Sequence, residues 1–524
     1  MCILVLSLKK HQTDVKMQNA TPEQILHVAM QYHKEGKLDA AEKLYRTVLE
    51  VKPHAAEAWF YLGMIQYAKR NHFEAETCLK KALELDPKNA DYSNNLGEIY
   101  RQNGMLDQAE YYIRNAIVIN PNQADAYANL ALICKARGDY DSAKLHFSRS
   151  LDINPKNINT IVNVGRLFLT LEEYDDAAEC FVAALSISPD NPDALRGCAQ
   201  SLYEKGEYNT AAAMLSKLTA GKPDMHREKV DLALITLRNK DFRKGFQLLE
   251  SRLKHLPHIM QGDEKTLWRG NDLKGKTIYI YDEKEGLGGF GDTLMFVRFV
   301  LDLEKYNPER IILRVQPELV SLTAANMPEK VTVVAENYES FNFHSPLLSL
   351  PLVLNVRAKS RTHADAYLKV DGAKTAHLFD KSTKNIGIAF ATDKSHIKHE
   401  TRSIPQDAFA PLLSKDGVKL FYISKQEPDA PLDPAITDMR PHISTFADTA
   451  DVIANLDMVI TADTAVAHLS GAMGKETALL LNRLHDWRWF NIKTGQKTVW
   501  YESVTGYVKE DEMSWEDLIK TVTV

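Results

Sequence analysis

The sequence has no run of the ~20 apolar residues that a membrane-crossing helix requires, so no helical span is expected. It has no basic excess either: the net charge is -6 and the pI is near 6.3. A general polyanion binder would show a basic face, so nucleic acid is not an expected partner. Cysteine is scarce. Cys2, Cys78, Cys134, Cys180 and Cys198 all lie in the N-terminal half, and none forms C-x-x-C. An odd, patternless set reads as free thiols in a reducing compartment, and the cytoplasm is the expected location. The last four fall in predicted helices as packing residues. H-E-x-x-H and paired-cysteine spacings are missing, so no metal site is expected. The apolar start, Cys2 to Leu8, lacks a basic segment before it and a cleavage site after it. It reads as a disordered segment, a short strand, or a translation start upstream of Met17, ahead of a signal peptide.

What is present is periodic. Pro53, Pro87, Pro121, Pro155, Pro189, Pro223 and Pro257 stand 34 residues apart. A fixed period of this length marks stacked repeats. Gly63, Gly97, Ala131, Gly165 and Ala199 share one phase; Ala41, Ala75, Ala109, Ala143, Ala177 and Ala211 share another. Small residues at both phases let paired helices approach, and each proline stops the second helix. Gly36, Gly104, Gly138 and Gly206 mark the turn within each pair, at a phase suited to a left-handed backbone. These features resemble the tetratricopeptide repeat family, with six clear repeats and one capping unit over residues 22–257, after an N-terminal extension at 1–21. In the capping unit Gly245 fills the alanine phase and Arg252 stands at a normally small position.

The first helices of such a stack line its concave face. Asn95, Asn129 and Asn163 keep the 34-residue spacing there. A carboxamide offers donors and an acceptor, so a row of them can bind the backbone of an extended polypeptide; a solvated helix face is the bland alternative. The row resembles the asparagine ladder of the protein O-GlcNAc transferases. Tyr61 and Gly197 end it.

After about Trp268 the pattern changes to short β-branched runs alternating with helical stretches: residues 277–281, 311–315, 331–335, 386–390, 420–423, 458–462 and 477–481. Such alternation implies parallel sheets of the doubly wound kind. Two sets of runs suggest two α/β lobes facing a cleft, a first lobe at 276–370 and a second at 384–524, with linkers at 258–275 and 371–383. The first run leads into a glycine loop with Gly288, Gly289 and Gly291, followed by Asp292. The spacing is not a dinucleotide fingerprint. Asp292 reads as a general base or as a helix N-cap. A second strand ends at Asp463 and Thr464 before a helix with Ala465 and His468. Amides and the Thr464 hydroxyl at such a turn can hold phosphate; otherwise Asp463 caps and His468 packs beneath the loop. Lys425, Asp486-Trp487-Arg488-Trp489, and the basic loop Lys394, His396, Lys398, His399 are weaker signals on the same cleft edge. The one D-x-D noted, Asp139-Tyr140-Asp141, lies in a repeat turn and reads as chance.

Residues 288–299, 341–351, 402–413, 446–475, 486–489 and 499–503, in that order, resemble the heptosyltransferase-like family 9 glycosyltransferases, most of all the bacterial subgroup fused to tetratricopeptide repeats. The resemblance implies an all-α solenoid followed by an α/β domain of GT-B architecture, with two Rossmann-like lobes. It implies an inverting, metal-independent enzyme without a cofactor, moving a sugar from a nucleotide-sugar to a hydroxyl of a polypeptide recruited by the repeats, with flagellin one such acceptor. Asp292 would then be the base; Arg402, Asp463, Thr464, Ala465 and His468 would hold the donor, while Lys425, from its place after a strand, reads as a further donor-phosphate contact or as a solvated loop charge. Ala465 replaces the glycine of the heptosyltransferases, which makes heptose a poorer donor. An envelope-glycan transferase and a non-catalytic scaffold are the alternatives.

Overall fold

The computed structural model describes residues 20–283, 288–357, 366–394 and 402–524, and it divides into two compact units, residues up to Lys205 and Gly206–Val524. The first unit is all-helical. Its elements are α1 (Pro22–Lys34), α2 (Leu38–Val51), α3 (Ala56–Ala68), α4 (His72–Leu85), α5 (Ala90–Gln102), α6 (Leu106–Ile119), α7 (Ala124–Ala136), α8 (Tyr140–Ile153), α9 (Ile158–Thr170), α10 (Tyr174–Ile187) and α11 (Pro192–Glu204). The small-residue phases act as expected. A Cβ on Gly97 would sit 2.5 Å from Ile113, and one on Gly165 would sit 2.8 Å from the Phe181 ring. Asn71, Asn89, Asp139, Asn157 and Asn191 N-cap their helices with their side chains, each cap worth about 1 kcal/mol. Asp139 therefore has a capping role. Cys78 is buried between helices, and burial pushes its thiol up to about 11.

The turn inside each helix pair is left-handed at every repeat. Gly36, Gly104 and Gly138 have φ of 75°, 75° and 79°, but Arg70 and Glu172 stand at the same phase with φ of 61° and 59°. The repeat imposes the conformation even where the residue disfavours it.

The second unit opens with α12 (Tyr208–Thr219), α13 (His226–Arg238) and α14 (Phe242–Leu249). These helices pack on the α/β core: Phe242 stacks on Phe490 and Trp500 with ring centroids 5.5 and 5.3 Å apart. Arg238 donates to the His485 carbonyl at 2.6 Å. Arg252, anomalous by repeat rules, is buried and bridges Glu283, at 2.6 and 2.8 Å, to Glu250 and Ser349. Its position serves this unit and not the helical repeat.

Two sheets follow. The first is four-stranded and parallel in the order β3-β2-β1-β4, from β1 (Thr277–Tyr281), β2 (Arg310–Arg314), β3 (Val331–Val334) and β4 (Phe343–Pro346). The second is seven-stranded, in the order β10-β11-β9-β8-β5-β6-β7. Its strands are β5 (Lys384–Ala389), β6 (Val418–Tyr422), β7 (Ile436–Asp438), β8 (Met458–Ala462), β9 (Thr477–Asn482), β10 (Gln496–Lys497) and β11 (Val504–Lys509). All its pairs are parallel except β10 with β11. β4, β7, β10 and β11 were not among the expected runs; β4, reading Phe-His-Ser-Pro, has no β-branched residue to announce it. Three helices matter to the site: α15 (Phe290–Phe296) after β1, α16 (Phe446–Ala454) after β7, and α17 (Ala465–Ala472) after β8. Among the described residues no helix is long and apolar enough to cross a membrane.

Candidate functional site

In the first unit a groove of about 710 Å³ runs along α5, α7 and α9. Asn129 and Asn163 line it, together with Asn94. The Asn129 amide donates to the Asn94 oxygen at 3.0 Å. Asn95, which carries the 34-residue spacing, turns its amide to the Asp91 carbonyl one turn back, at 2.8 Å. The neighbouring Asn94, one residue out of phase, supplies the third carboxamide; no spacing argument singles it out. The ends of the ladder have a packing cause. Tyr61 stacks on Tyr45 with centroids 5.7 Å apart, and any side chain at Gly197 would begin 2.2 Å from the Phe181 ring.

In the second unit, described residues of the loops that follow β1, β5, β8 and β9 converge. Parallel α/β sheets bind ligands at the carboxyl ends of their strands, and these loops leave those ends. Asp292 sits in the first turn of α15 and is buried. Its Oδ2 accepts the Gly289 N–H at 3.0 Å; Gly289, not Asp292, is the N-cap, and Asp292 reaches back to it from the third helical position. Its Oδ1 accepts from Arg488, at 2.7 Å from Nε and 2.5 Å from Nη2. Arg488 also holds Asp486 at 2.7 Å. Burial pushes the Asp292 carboxyl above its usual range, with Arg488 opposing. The guanidinium of Arg488 is held above its ordinary value by the two carboxylates, against its own burial.

One residue along, Trp489 donates its indole N–H to Asp463 at 2.8 Å. Arg402 pairs with the other Asp463 oxygen at 3.2 Å and also donates to the Asp463 carbonyl. Thr464 N-caps α17 through the Val466 N–H at 3.3 Å, and Ala465 is the first residue of the helix. His468 lies under this turn, 3% exposed, stacked on Trp489 at 4.7 Å and bonded to the Tyr501 hydroxyl at 3.0 Å. Burial, with Arg488 nearby, pushes its imidazole down to about 3, so it is neutral.

The glycines have separate reasons. A Cβ on Gly291 would meet the His468 ring at 2.7 Å, so here the close approach is between α15 and α17. Gly288 lies against the Glu283 carbonyl, while a Cβ on Gly289 would meet only Asp292 Oδ2, at 3.9 Å. Lys425 is exposed and donates to the Ser444 carbonyl at 2.7 Å. Lys394 pairs with Asp429; His396, Lys398 and His399 lie outside the described residues, as does Cys2.

The roles of two arginines were not legible in the sequence. Arg488 was visible only as part of an acid–aromatic–basic cluster, and its partner Asp292 lies 196 residues away. Arg298 is buried and donates to the Trp500 carbonyl at 2.6 Å and the Tyr367 hydroxyl at 3.0 Å, fastening the first lobe to the second. Its neighbours gave no polar pattern. A separate hollow of about 410 Å³ opens at the carboxyl ends of β1, β2 and β3, lined among others by Asp282, Glu283, Arg314 and Gln316.

Tetratricopeptide-repeat family models match residues 56–89, 78–111, 124–157 and 168–228. No curated protein matches the chain. Among solved structures the chain is similar to PilF of Pseudomonas aeruginosa, with 21% identity over 38% of this chain and 92% of that one and a TM-score of 0.34. It is similar to a thermophilic tetratricopeptide-repeat protein of Thermus thermophilus, with 22% identity over 35% and 99% and a TM-score of 0.32. With yeast Tom70 the identity is 18% over 48% of this chain and 53% of that chain, with a TM-score of 0.38. Residues 56–111, 124–157 and 168–228 thus carry tetratricopeptide repeats, units of the kind that mediates protein–protein interaction.

Proposed function

We propose that the chain is a glycosyltransferase whose repeats capture an extended polypeptide and whose α/β unit transfers a sugar from a nucleotide-sugar to a hydroxyl of that polypeptide. The observation that carries the reading is the convergence of Asp292 with Arg488, Asp463 and Arg402 at the carboxyl ends of two parallel sheets. In the proposed reaction the acceptor oxygen bonds to the anomeric carbon as the carbon–oxygen bond to the diphosphate breaks. The acceptor proton passes to Asp292, and the leaving oxygen keeps the electron pair. Arg488 occupies Oδ1, so the acceptor hydroxyl would approach Oδ2, which carries a single hydrogen bond from Gly289. Arg488 also favours the ionised carboxylate that a base requires, against its burial. The guanidinium of Arg402 and the amides at the start of α17 would steady the growing charge on the diphosphate.

A second reading has its own observation. The same ion pair already occupies one oxygen of Asp292, as suits a scaffold that has lost transfer activity. Transfer of a radiolabelled sugar, screened over a panel of nucleotide-sugars and unfolded polypeptides, separates the two. Under the first reading Asp292→Asn lowers transfer by roughly 10²–10⁴-fold, the usual contribution of a general base, with circular dichroism unchanged. Full activity in that variant removes Asp292 as the base. Absence of both transfer and nucleotide binding across the panel leaves the scaffold.

A further inference from the structure

The groove of the repeat unit is lined by Glu98, Arg101, Asp125, Lys135 and Arg166 among its charged groups, and their pairing is unequal. Glu98 takes Arg101 in a two-pronged pair, at 2.7 Å through both Nε and Nη2. Arg166 pairs with Asp193 at 2.8 Å. Asp125 accepts from the Asn157 amide at 2.9 Å and sits in the first turn of α7, where helix amides offset its charge. Lys135 is different. Its ammonium donates to the Arg166 carbonyl at 2.9 Å, and among the described residues it forms no ion pair with a carboxylate. Partial burial and the neighbouring Arg166 push its pKa below the usual lysine range. An ammonium drawn further from water by a ligand needs an anion beside it.

The carboxamides stand along the same wall. The bond from Asn129 to Asn94 fixes both side chains. It leaves the Asn129 oxygen and the Asn94 amino group to meet a peptide N–H and C=O. We propose that the groove takes an extended polypeptide that presents an aspartate or glutamate side chain to Lys135, its backbone held by Asn94, Asn129 and Asn163. This rests on the polypeptide-capturing role proposed above and adds a preference that the carboxamides alone would not give. The charge decides which substrates are captured, and the carboxamides decide that they are captured extended.

The test uses the full chain immobilised and a pool of short random peptides, with retained peptides sequenced. Aspartate and glutamate should be enriched about five-fold at one position, the ratio set by a partly exposed ion pair. Lys135→Gln should abolish that enrichment by lowering retention of the acidic peptides, and Lys135→Arg should keep it, which separates lost charge from lost fold. Asn129→Ala with Asn163→Ala should lower retention of all peptides alike. Retention without acidic enrichment, or enrichment that persists in Lys135→Gln, overturns this proposal and leaves the polypeptide groove standing. No retained peptide at all overturns both.

Discussion

The two units are held together over different distances along the chain. In the repeat unit the polar contacts between elements join neighbours: Gln123 to Asp91 and Asn157 to Asp125 are 32 residues apart, Arg137 to Asp107 is 30, Lys144 to Glu173 is 29. In the α/β unit they join Arg488 to Asp292 across 196 residues, Arg298 to Trp500 across 202, and Arg238 to Asn491 across 253. The first set lies mostly at the surface, where an ion pair is worth about 0–1 kcal/mol. In the second the arginines or their carboxylate partners are buried, so that losing one partner strands a charge. The repeat unit therefore spreads its stability over many small recurring terms, and the α/β unit concentrates part of it in a few charged residues.

The sharpest way to break this contrast is Arg252→Ala. It leaves Glu283 buried and uncompensated, which should cost about 3–5 kcal/mol. Hydrogen exchange read by segment should show the loss across residues 206–524 and none before Lys205; an equal loss in both units would erase the distinction. Acidification is the next largest lever. His468 is held at about 3 against an ordinary 6.5. Between those values the unfolded chain binds a proton that the folded one does not. The stability is thus complete above 6.5 and falls as pH drops toward 3. About 2 kcal/mol should go between neutral pH and pH ~5. In denaturant titrations of His468→Asn that part of the acid loss should vanish, whatever the variant's stability at neutral pH; an unchanged acid slope would rule His468 out as its source. The smallest effect tests the repeat unit. Glu172 is exposed and left-handed at a position that the repeats with Gly36, Gly104, Gly138 and Gly206 fill with glycine. Glu172→Gly should stabilise that unit by about 0.5–1 kcal/mol, seen as a raised denaturation midpoint. A fall would mean that the Glu172 side chain contributes more than its backbone costs.

The sequence was legible where the physics is local. The proline and small-residue phases located the helix pairs, and the left-handed turn could be placed from four glycines. Asn129 and Asn163 could be assigned to the groove wall because a helix face repeats with the repeat. Asn95 shows where that reasoning stops: one residue of helical rotation, about 100°, separates it from Asn94. In the α/β unit the strands with β-branched runs were legible, as were the turns before α15 and α17. β4 was hidden by its composition and the role of Arg488 by its distance from Asp292. Gly291 and His468 show the same limit from the other side. Both lie in segments that look made for a ligand, yet each fills space for the other.

By itself the sequence determined that the N-terminal part is a stack of helix pairs with a polar inner wall and that the rest alternates strands with helices. Backbone propensity, capping and a fixed period act within a few dozen residues, so they can be read along the chain. Tertiary structure alone decided which carboxylate meets which guanidinium, which glycine faces an imidazole, and that Arg252 belongs to the α/β unit. Those outcomes depend on burial, and burial is set by contacts that close only when strands far apart in the chain lie side by side.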